Sequence, residues 1–201
     1  LHRRFLQDPK HLAELKLAVE EIYSKYLTEA KIKAKLDSYQ SLVKPLLFAE
    51  PDKTFLPIIS SNAQQEWQDE YARIATVTKQ HYDYFFASLE SPMPYYQAVE
   101  LLADNTVRFG WDKSVDLQGD SVAYTLQIST TPDFSSVVKE QNLTQTEVVL
   151  PKLANGVYYL KVTAKDSKGN RQNAFDTAIV SGKKYFGVYA FEVKTSEIIA
   201  L

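Results

Sequence analysis

A change of hydrophobic period at residues 91–94, which read SPMP, restricts the fold of this sequence more than any other feature. Before this segment, apolar residues recur every three or four positions, which places them along one side of an α-helix. Beyond it, apolar and polar residues alternate in short runs separated by turn residues, as in antiparallel sheets. Two prolines in three residues stop a helix, because proline lacks the N–H and restricts the residue before it. We therefore predict an α+β organisation of two modules, residues 1–91 and 92–201.

The first module is predicted to be a three-helix segment around a shared core. The helix ends are marked by prolines and by side chains that can accept hydrogen bonds from backbone N–H groups. The starts are Asp8-Pro9, Thr28 and the capping box of Asn62 with Gln65, and the breaks are Pro45 and a loop over 49–61. Each helix carries an apolar stripe, and the stripes are expected to face one another. They are Leu12, Leu15, Val19, Ile22 and Tyr26; Ile32, Leu36, Tyr39 and Val43; and Trp67, Tyr71, Ile74, Thr78, His81 and Phe85.

The second module is predicted to be an all-β sandwich. Its β-rich runs are short and follow one another at turn-punctuated intervals, which is typical of two packed antiparallel sheets. Alternate residues of each run are expected to face the core. The predicted strands are residues 106–111, 122–129, 147–150, 158–164 and 185–193, with Gly119, Pro132, Gly156, Gly169 and Gly182 between them.

A segment that reads LANGVYYLKVTA resembles the corner between strands E and F of a fibronectin type III domain. The pattern has a Leu (Leu153), a Gly turn (Gly156), and then a Tyr followed by apolar residues at every second position. The resemblance implies that Tyr158 is the tyrosine-corner residue, whose hydroxyl bonds to backbone upstream. Trp111 lies where this family has the core tryptophan of strand B. The resemblance extends from residue 94 to the end and implies a fibronectin type III/immunoglobulin-like sandwich.

The helix punctuation of the first module resembles the C-terminal helical tail of the CotH spore-coat kinase family. Asp8-Pro9, Thr28, Pro45 and Trp67 stand where that tail has its first helix start, its second helix and its tryptophan-bearing last helix. Bacterial members often carry a fibronectin type III-like domain directly afterwards. The resemblance implies that this sequence is a C-terminal fragment, with the kinase-like domain and its nucleotide and metal ligands upstream. No catalytic or cofactor-binding residue is therefore assigned, and no cofactor is expected.

Composition and charge disfavour several classes of function. The formal net charge is −2, with 12 Lys and Arg against 13 Asp and Glu up to residue 91, and 11 against 12 after it. A nucleic-acid partner is therefore not expected, because neither module has a basic excess. Cysteine is absent, which excludes disulfides, thiolate nucleophiles and thiolate metal sites. No apolar run approaches the length of a membrane span.

The candidate metal ligands are three aspartates of one predicted loop. Asp112, Asp116 and Asp120 crowd together beside Gly119. This loop fits a calcium site, because hard cations bind several carboxylate and carbonyl oxygens. It also fits ordinary turn chemistry, in which Asp side chains accept nearby backbone N–H groups, and the EF-hand spacing is absent. Both interpretations remain open at the level of sequence.

Other polar and aromatic groups fit structural roles, with one functional alternative. The histidines lack the i, i+4 spacing of a helical zinc site, and the acids of the third helix are expected on its solvated face. Paired tyrosines fit a partner-binding surface, although alternation predicts that one member of each pair is buried. These residues are His2, His11 and His81; Glu66, Asp69 and Glu70; and Tyr82 with Tyr84, Tyr95 with Tyr96, and Tyr158 with Tyr159.

The function that we predict is non-catalytic. The sequence is interpreted as the C-terminal part of a CotH-like spore-coat or surface kinase, in an extracytoplasmic location. Its β-sandwich would attach the parent to a protein or another cell-surface or spore-coat component. The alternatives are an accessory module of an extracellular carbohydrate-active enzyme and a structural adhesion protein. The fold alone does not choose between them, since fibronectin type III modules serve many roles.

Overall fold

The computed structural model describes residues 5–55 and 62–201 and divides into two units, Leu1–Ser88 and Leu89–Leu201. The helices are α1 (Pro9–Ile22), α2 (Glu29–Leu47) and α3 (Ala63–Leu89), with a π-helical turn at Tyr23–Leu27 and a 3-10 turn at Asp52–Phe55. Among the described residues, no helix is both long and apolar enough to span a membrane.

Two predicted helix starts are confirmed by their capping bonds. Asp8 Oδ1 accepts a hydrogen bond from Lys10 N (2.9 Å), and Thr28 Oγ1 accepts one from Lys31 N (3.4 Å). These side chains satisfy backbone N–H groups that the first helical turn leaves without a helical partner. The local sequence therefore determines where α1 and α2 begin.

The end of α2 lies close to the predicted position, and the loop after it differs from the prediction. Pro45 lies inside α2, which ends at Leu47, two residues beyond the proline near which the helix end was predicted. The backbone bond that proline cannot donate is lost close to the helix end, where no later turn depends on it. Part of the predicted loop forms the 3-10 turn at Asp52–Phe55, and its residues 56–61 lie outside the described residues.

The shared core predicted for the helical unit is not found in its described residues, of which Leu12 alone is buried. The π-helical turn adds a residue to the helix and so redirects the side chains that follow. Tyr23, at the start of this turn, faces α3, where its ring stacks on that of Tyr82 at 4.0 Å. Tyr26, predicted in the stripe, is 67% exposed. Half-buried contacts of this kind join the helices.

The contact stripe of α3 agrees with the prediction at Trp67, Tyr71, Thr78 and Phe85 and departs from it at Ile74 and His81. The Tyr71 hydroxyl donates to the backbone oxygen of Leu36 in α2 (3.0 Å). Ile74 is 45% exposed and His81 is exposed, so neither belongs to the stripe. Spacings of three and four residues both fit an amphipathic helix, and only the neighbouring helices choose between them. Half-buried positions of α3 include Trp67, Tyr71, Ala75, Thr78, Tyr82 and Phe85.

The second unit is built of antiparallel strands. They are β1 (Gln97–Leu101), β2 (Thr106–Trp111), β3 (Val122–Ser129), β4 (Val137–Leu143), β5 (Glu147–Pro151), β6 (Gly156–Asp166), β7 (Arg171–Asn173), β8 (Thr177–Val180), β9 (Lys183–Phe186), β10 (Val188–Val193) and β11 (Ile198–Ala200). One sheet has the order β1-β2-β5, and the other has the order β11-β10-β6-β3-β4 with β7 also paired to β6. Strands β8 and β9 pair with each other as a hairpin.

The strand order is that of a fibronectin type III-like sandwich. Strands β1, β2 and β5 correspond to A, B and E, and β10, β6, β3 and β4 correspond to G, F, C and C′. Inward-facing side chains from both sheets form one core, because alternate residues of each strand point the same way. Its members with 0% exposure are Val107, Phe109, Leu126, Ile128, Leu160, Val162, Ala164 and Phe191.

One predicted strand is interrupted, and some strands, β4 among them, were not predicted. The strand predicted at 185–193 is interrupted at Gly187, whose φ of 76° breaks the extended chain between β9 and β10. Strand β4 was not predicted, because Val137 to Glu140 are all exposed and no apolar alternation marks them. An edge strand such as β4 is held by backbone hydrogen bonds to its neighbour, so its sequence does not need the alternation of apolar and polar residues that identifies a central strand.

The hydrogen bond expected of Tyr158 is also corrected. Within the described part of the chain, its hydroxyl forms no hydrogen bond, and its ring stacks on Phe191 at 5.8 Å. A different tyrosine makes a buried bond to backbone. The Tyr95 hydroxyl donates to the backbone oxygen of Val162 at 2.8 Å, and burial raises the pKa of that hydroxyl.

Candidate functional site

Two loops at one end of the sandwich have the same turn chemistry. Asp116 Oδ1 accepts hydrogen bonds from the backbone N of Gln118 (2.9 Å) and of Asp120 (3.0 Å). Asp166 Oδ1 accepts from the backbone N of Lys168 (2.9 Å) and of Asn170 (2.8 Å). Each aspartate thus closes a five-residue turn of the form Asp-x-x-Gly-Asp/Asn. Strand pairing places the two turns side by side at the ends of β3 and β6.

The two turns bring three carboxylates together. Asp116, Asp120 and Asp166 each present an oxygen within 4.8 Å of the others. Asp116 is 8% exposed and Asp166 is 4% exposed. Asp112, which the sequence grouped with Asp116 and Asp120, is exposed and is not part of this cluster. The cluster of Asp116, Asp120 and Asp166 is called the loop acid cluster below.

Asp166 was missed because it lies far along the chain, although a sequence signal existed. The segment DLQGD, beginning at Asp116, recurs in form as DSKGN, beginning at Asp166. Repetition of one Asx-turn pattern at the ends of two predicted strands suggests two similar turns, and their adjacency follows only from the pairing of Val122 with Asp166.

Electrostatics in the cluster are dominated by negative charge. Lys168 Nζ lies 2.7 Å from Asp120 Oδ2, and Asp120, then Glu90 and Asp116, raise the pKa of Lys168. Burial acts to raise the pKa of Asp166, but hydrogen bonds led by that of Asn170 outweigh it, so this pKa lies below its usual value. These hydrogen bonds hold the Asp166 carboxylate in its charged form.

One oxygen of the cluster lacks a hydrogen-bond partner. Asp116 Oδ2 is buried and accepts no hydrogen bond from any described residue. A buried polar atom without a partner is uncommon, because its lost hydration is not replaced. A hydrogen-bond donor or a cation bound next to Asp116 Oδ2 would replace its lost hydration and stabilise the loop.

The same loops hold the chain that precedes β1. Gln118 Nε2 donates to the backbone oxygen of Leu89 (2.9 Å), and Asn170 Nδ2 donates to that of Glu90 (3.0 Å). The backbone N of Met93 donates to the oxygen of Val115 (2.8 Å). The loops therefore have a structural role in the second unit besides any ligand that they bind.

A second feature is an insertion between β7 and β10, two strands that pair with the same side of β6. Strand β7 pairs with residues 163–165 of β6, and β10 pairs with residues 156–161. Because β3 occupies the other edge of β6, β7 and β10 lie along the same edge. Residues 174–187 interrupt that edge and form the β8–β9 hairpin. This hairpin was not predicted from the sequence.

The base of the hairpin is fixed by a buried amide. Gln97 Nε2 donates to Asp176 Oδ2 and to the oxygen of Gly187, both at 3.2 Å. Gln97 Oε1 accepts from the backbone N of Val162 at 2.7 Å. The backbone N of Phe175 also donates to the oxygen of Tyr95 (2.8 Å). One side chain thus joins β1, β6 and both ends of the hairpin.

The two faces of the hairpin differ in burial. On the inner face, Ala178, Val180 and Tyr185 pack in a cluster with Tyr159 and Val188 of the sandwich. On the outer face, Phe175, Ile179 and Phe186 project into solvent, and the Phe175 ring contacts that of Tyr96 at 5.3 Å. We call these residues the outer apolar face; they are Tyr96 (61% exposed), Phe175 (57%), Ile179 (65%) and Phe186 (72%).

The other residues that the sequence singled out lie apart from both features. Trp111 is buried in the core, and its indole N–H has no partner among the described residues. Leu153 packs against the core, and Gly156 begins β6. His2 lies outside the described residues. In the described part of the helical unit, His11 and His81 join no group of metal-ligating side chains, and Glu66, Asp69 and Glu70 are exposed.

Comparison with known proteins adds little beyond the fold. No protein-family model matches this sequence, and no curated protein matches it. Solved structures that resemble it include domains d3-d4 of the rat CD45 extracellular region (17% identity, TM-score 0.34, covering 41% of this chain and 47% of that one). Another is the third fibronectin III domain of the human KIAA0343 protein (18% identity, TM-score 0.29, covering 41% and 76%). This chain spans about half of the CD45 structure, and the fold assignment rests on the strand order above.

Proposed function

We propose that the sandwich is a non-catalytic protein-interaction module whose contact surface is the outer apolar face of the inserted hairpin. One observation carries the proposal: three large apolar side chains of the inserted element, Phe175, Ile179 and Phe186, are each more than half exposed, and the exposed Tyr96 ring contacts Phe175. Exposed apolar groups gathered in this way mark interaction surfaces, because leaving them in water is unfavourable.

Rigidity of the hairpin favours this use. Its inner face is packed and its base is held by Gln97, so little backbone order has to be gained on binding. Aromatic side chains supply large contact area with few rotatable bonds. A surface built from Tyr96, Phe175 and Phe186 therefore binds at low entropic cost.

The charge around the face points to the chemistry of the partner. Lys184 pairs with Ile179 across the hairpin, shares its face and is exposed. A complementary partner would be a protein surface with an apolar pocket flanked by carboxylates. In the proposed setting this partner is a cell-surface or spore-coat protein in an extracytoplasmic location.

The proposal extends to the parent protein. Helix starts at Asp8 and Thr28, and a last helix that carries Trp67, support descent from the tail of a CotH-like kinase. In this interpretation the present chain performs no catalysis. Sequence upstream that encodes an Asp-rich kinase core would support it, and nucleotide binding or phosphoryl transfer by residues 1–201 would contradict it.

The contact surface is tested by photo-crosslinking in cells that produce the protein. A crosslinking amino acid at position 186 should capture one protein, and the same group at Val138, an exposed valine of β4, should not. With the captured protein purified, Phe186→Ala should weaken binding at least about tenfold, and Val138→Ala less than about twofold. Equal effects of the two variants, or crosslinking of a second copy of this chain, would refute the proposed partner.

A further inference from the structure

The loop acid cluster has a ligand chemistry that is independent of the proposed interaction surface. We infer that Asp116, Asp120 and Asp166 form a Ca²⁺ site at the end of the sandwich. The site is built by two Asx turns from different parts of the chain, and the ion would join them.

The spacing of the oxygens fits one ion. Ca²⁺ binds oxygen ligands at about 2.3–2.6 Å, so two ligands of one ion lie at most about 5 Å apart. The cluster presents one oxygen from each carboxylate with all separations within 4.8 Å. Three carboxylates are therefore close enough to share a single ion once Lys168 leaves Asp120 Oδ2.

The unpartnered oxygen supplies the second argument. Oδ1 of Asp116 already accepts two backbone N–H groups, whereas its Oδ2 is buried and accepts none from the described residues. The Asp116 side chain is more than nine-tenths buried, so water does not freely replace the missing partner. A cation beside this oxygen would satisfy it.

The charge balance also favours a cation. Three carboxylates, two of them buried, are gathered at one point, and Lys168 pairs with Asp120 alone among them. The Lys168 side chain is 57% exposed and Asp120 is 21% exposed. A mobile ammonium on the outside of the cluster can swing away, which leaves Asp120 as the entry point for an ion from solvent.

The donor set selects the kind of metal. All three side chains offer oxygen, which is the ligand of hard cations, and the chain has no cysteine. Ca²⁺ tolerates irregular sites completed by water and carbonyl oxygens, whereas Mg²⁺ requires near-ideal octahedral geometry and loses its water reluctantly. An irregular cluster on two loops therefore suits Ca²⁺ better.

Calorimetric titration of the full chain with CaCl₂ tests the inference. We expect one site with a Kd of about 10⁻⁴–10⁻³ M, the range of extracellular calcium modules, and binding of Mg²⁺ at least about tenfold weaker. In ¹⁵N-correlated spectra, Ca²⁺ should shift amides at 114–120 and 165–170. Absence of heat together with absence of these shifts at 10 mM CaCl₂ would disprove the site.

Matched variants locate the ion. Asp116→Asn keeps the oxygen that accepts the turn N–H groups and removes the negative charge, so Ca²⁺ affinity should fall at least about tenfold. Asp112→Asn is the control, because Asp112 is exposed and outside the cluster, and it should leave affinity within about twofold. If both variants bind equally well, the ion lies elsewhere.

Lys168→Gln gives a test that does not depend on losing a ligand. Removal of the competing ammonium should tighten Ca²⁺ binding by roughly threefold or more, because attraction between the ion and Asp120 is then unopposed. A variant that binds no more tightly than the parent would show that Lys168 does not compete for this site and would contradict the inference.

Discussion

The helical unit and the sandwich bury their apolar side chains to different degrees. In the sandwich, eight core side chains from both sheets have 0% exposure. In the described part of the helical unit, Leu12 alone is buried, and residues of the expected stripes such as Ile22 and Tyr39 are about half exposed. Two packed sheets enclose a core between their inner faces. A helix buries only one apolar stripe, and that stripe is fully buried only where neighbouring elements cover it.

This difference separates two sources of order. The helices depend on local features, namely caps at Asp8 and Thr28 and i, i+4 ion pairs such as Lys33 with Asp37. Each of these features contributes little, about 1 kcal/mol or less. The sandwich depends on side chains far apart in sequence, so single substitutions there should have much larger effects. The predictions below run from the largest of these effects to the smallest.

The largest expected loss is that of Phe191→Ala. Phe191 is fully buried and packs on Phe109 at 6.0 Å between ring centres, so its truncation should lower the free energy of unfolding by about 3–5 kcal/mol. Urea denaturation can follow Trp111 in a Trp67→Phe background, since the chain has two tryptophans, one in each unit. Leu36→Ala in α2, followed by far-UV circular dichroism, should cost roughly 1 kcal/mol. Equal losses would show that the helical unit has a comparable core.

Gly187→Ala tests the packing at the hairpin base. An added Cβ would lie 2.7 Å from Asn173 Cβ at a φ of 76°, so we expect destabilisation of about 2–4 kcal/mol. Gly182→Ala is the matched control, because Gly182 has a similar φ of 78° with no atom within 4 Å, and it should cost only about 1 kcal/mol. The Trp111 signal measures both. Equal losses would mean that the base is not tightly packed.

Tyr95→Phe tests the buried hydrogen bond that the Tyr95 hydroxyl, just before β1, donates to the backbone oxygen of Val162. Removing the bond to Val162 should lower the free energy of unfolding by about 1–2 kcal/mol, because that backbone oxygen loses a buried donor. Tyr158→Phe should change it by less than about 0.5 kcal/mol, since that hydroxyl has no partner in the described part of the chain. A larger loss for Tyr158→Phe than for Tyr95→Phe would show that the Tyr158 hydroxyl makes the tyrosine-corner hydrogen bond after all.

The smallest expected effect is that of Thr28→Ala. Loss of the cap on Lys31 N should destabilise the helical unit by about 0.5–1 kcal/mol, read from helical circular dichroism on heating. The Trp111 transition of the sandwich should be unchanged. A parallel loss in both signals would show that the two units unfold together.

Local patterns predicted some elements closely. Strands 106–111 and 122–129 were predicted with the bounds that the structure has, because alternation is visible within each strand. Strand β4 and the hairpin were missed, since edge pairing and insertion depend on backbone bonds to distant strands. In the candidate site, Asp116 and Asp120 were identified correctly. Asp112 was wrongly grouped with them, because the prediction assumed that residues close in sequence are also close in space.

The sequence by itself determined the division into a helical and a β-rich part, the capped helix starts and the inward faces of the central strands. These features depend on groups a few residues apart, whose periodicity and hydrogen bonding are set locally. The tertiary structure alone decided where the pairing along β6 is interrupted between β7 and β10, and that Asp166 stands beside Asp116. Each of these outcomes requires the pairing of distant segments, and no local pattern encodes that pairing.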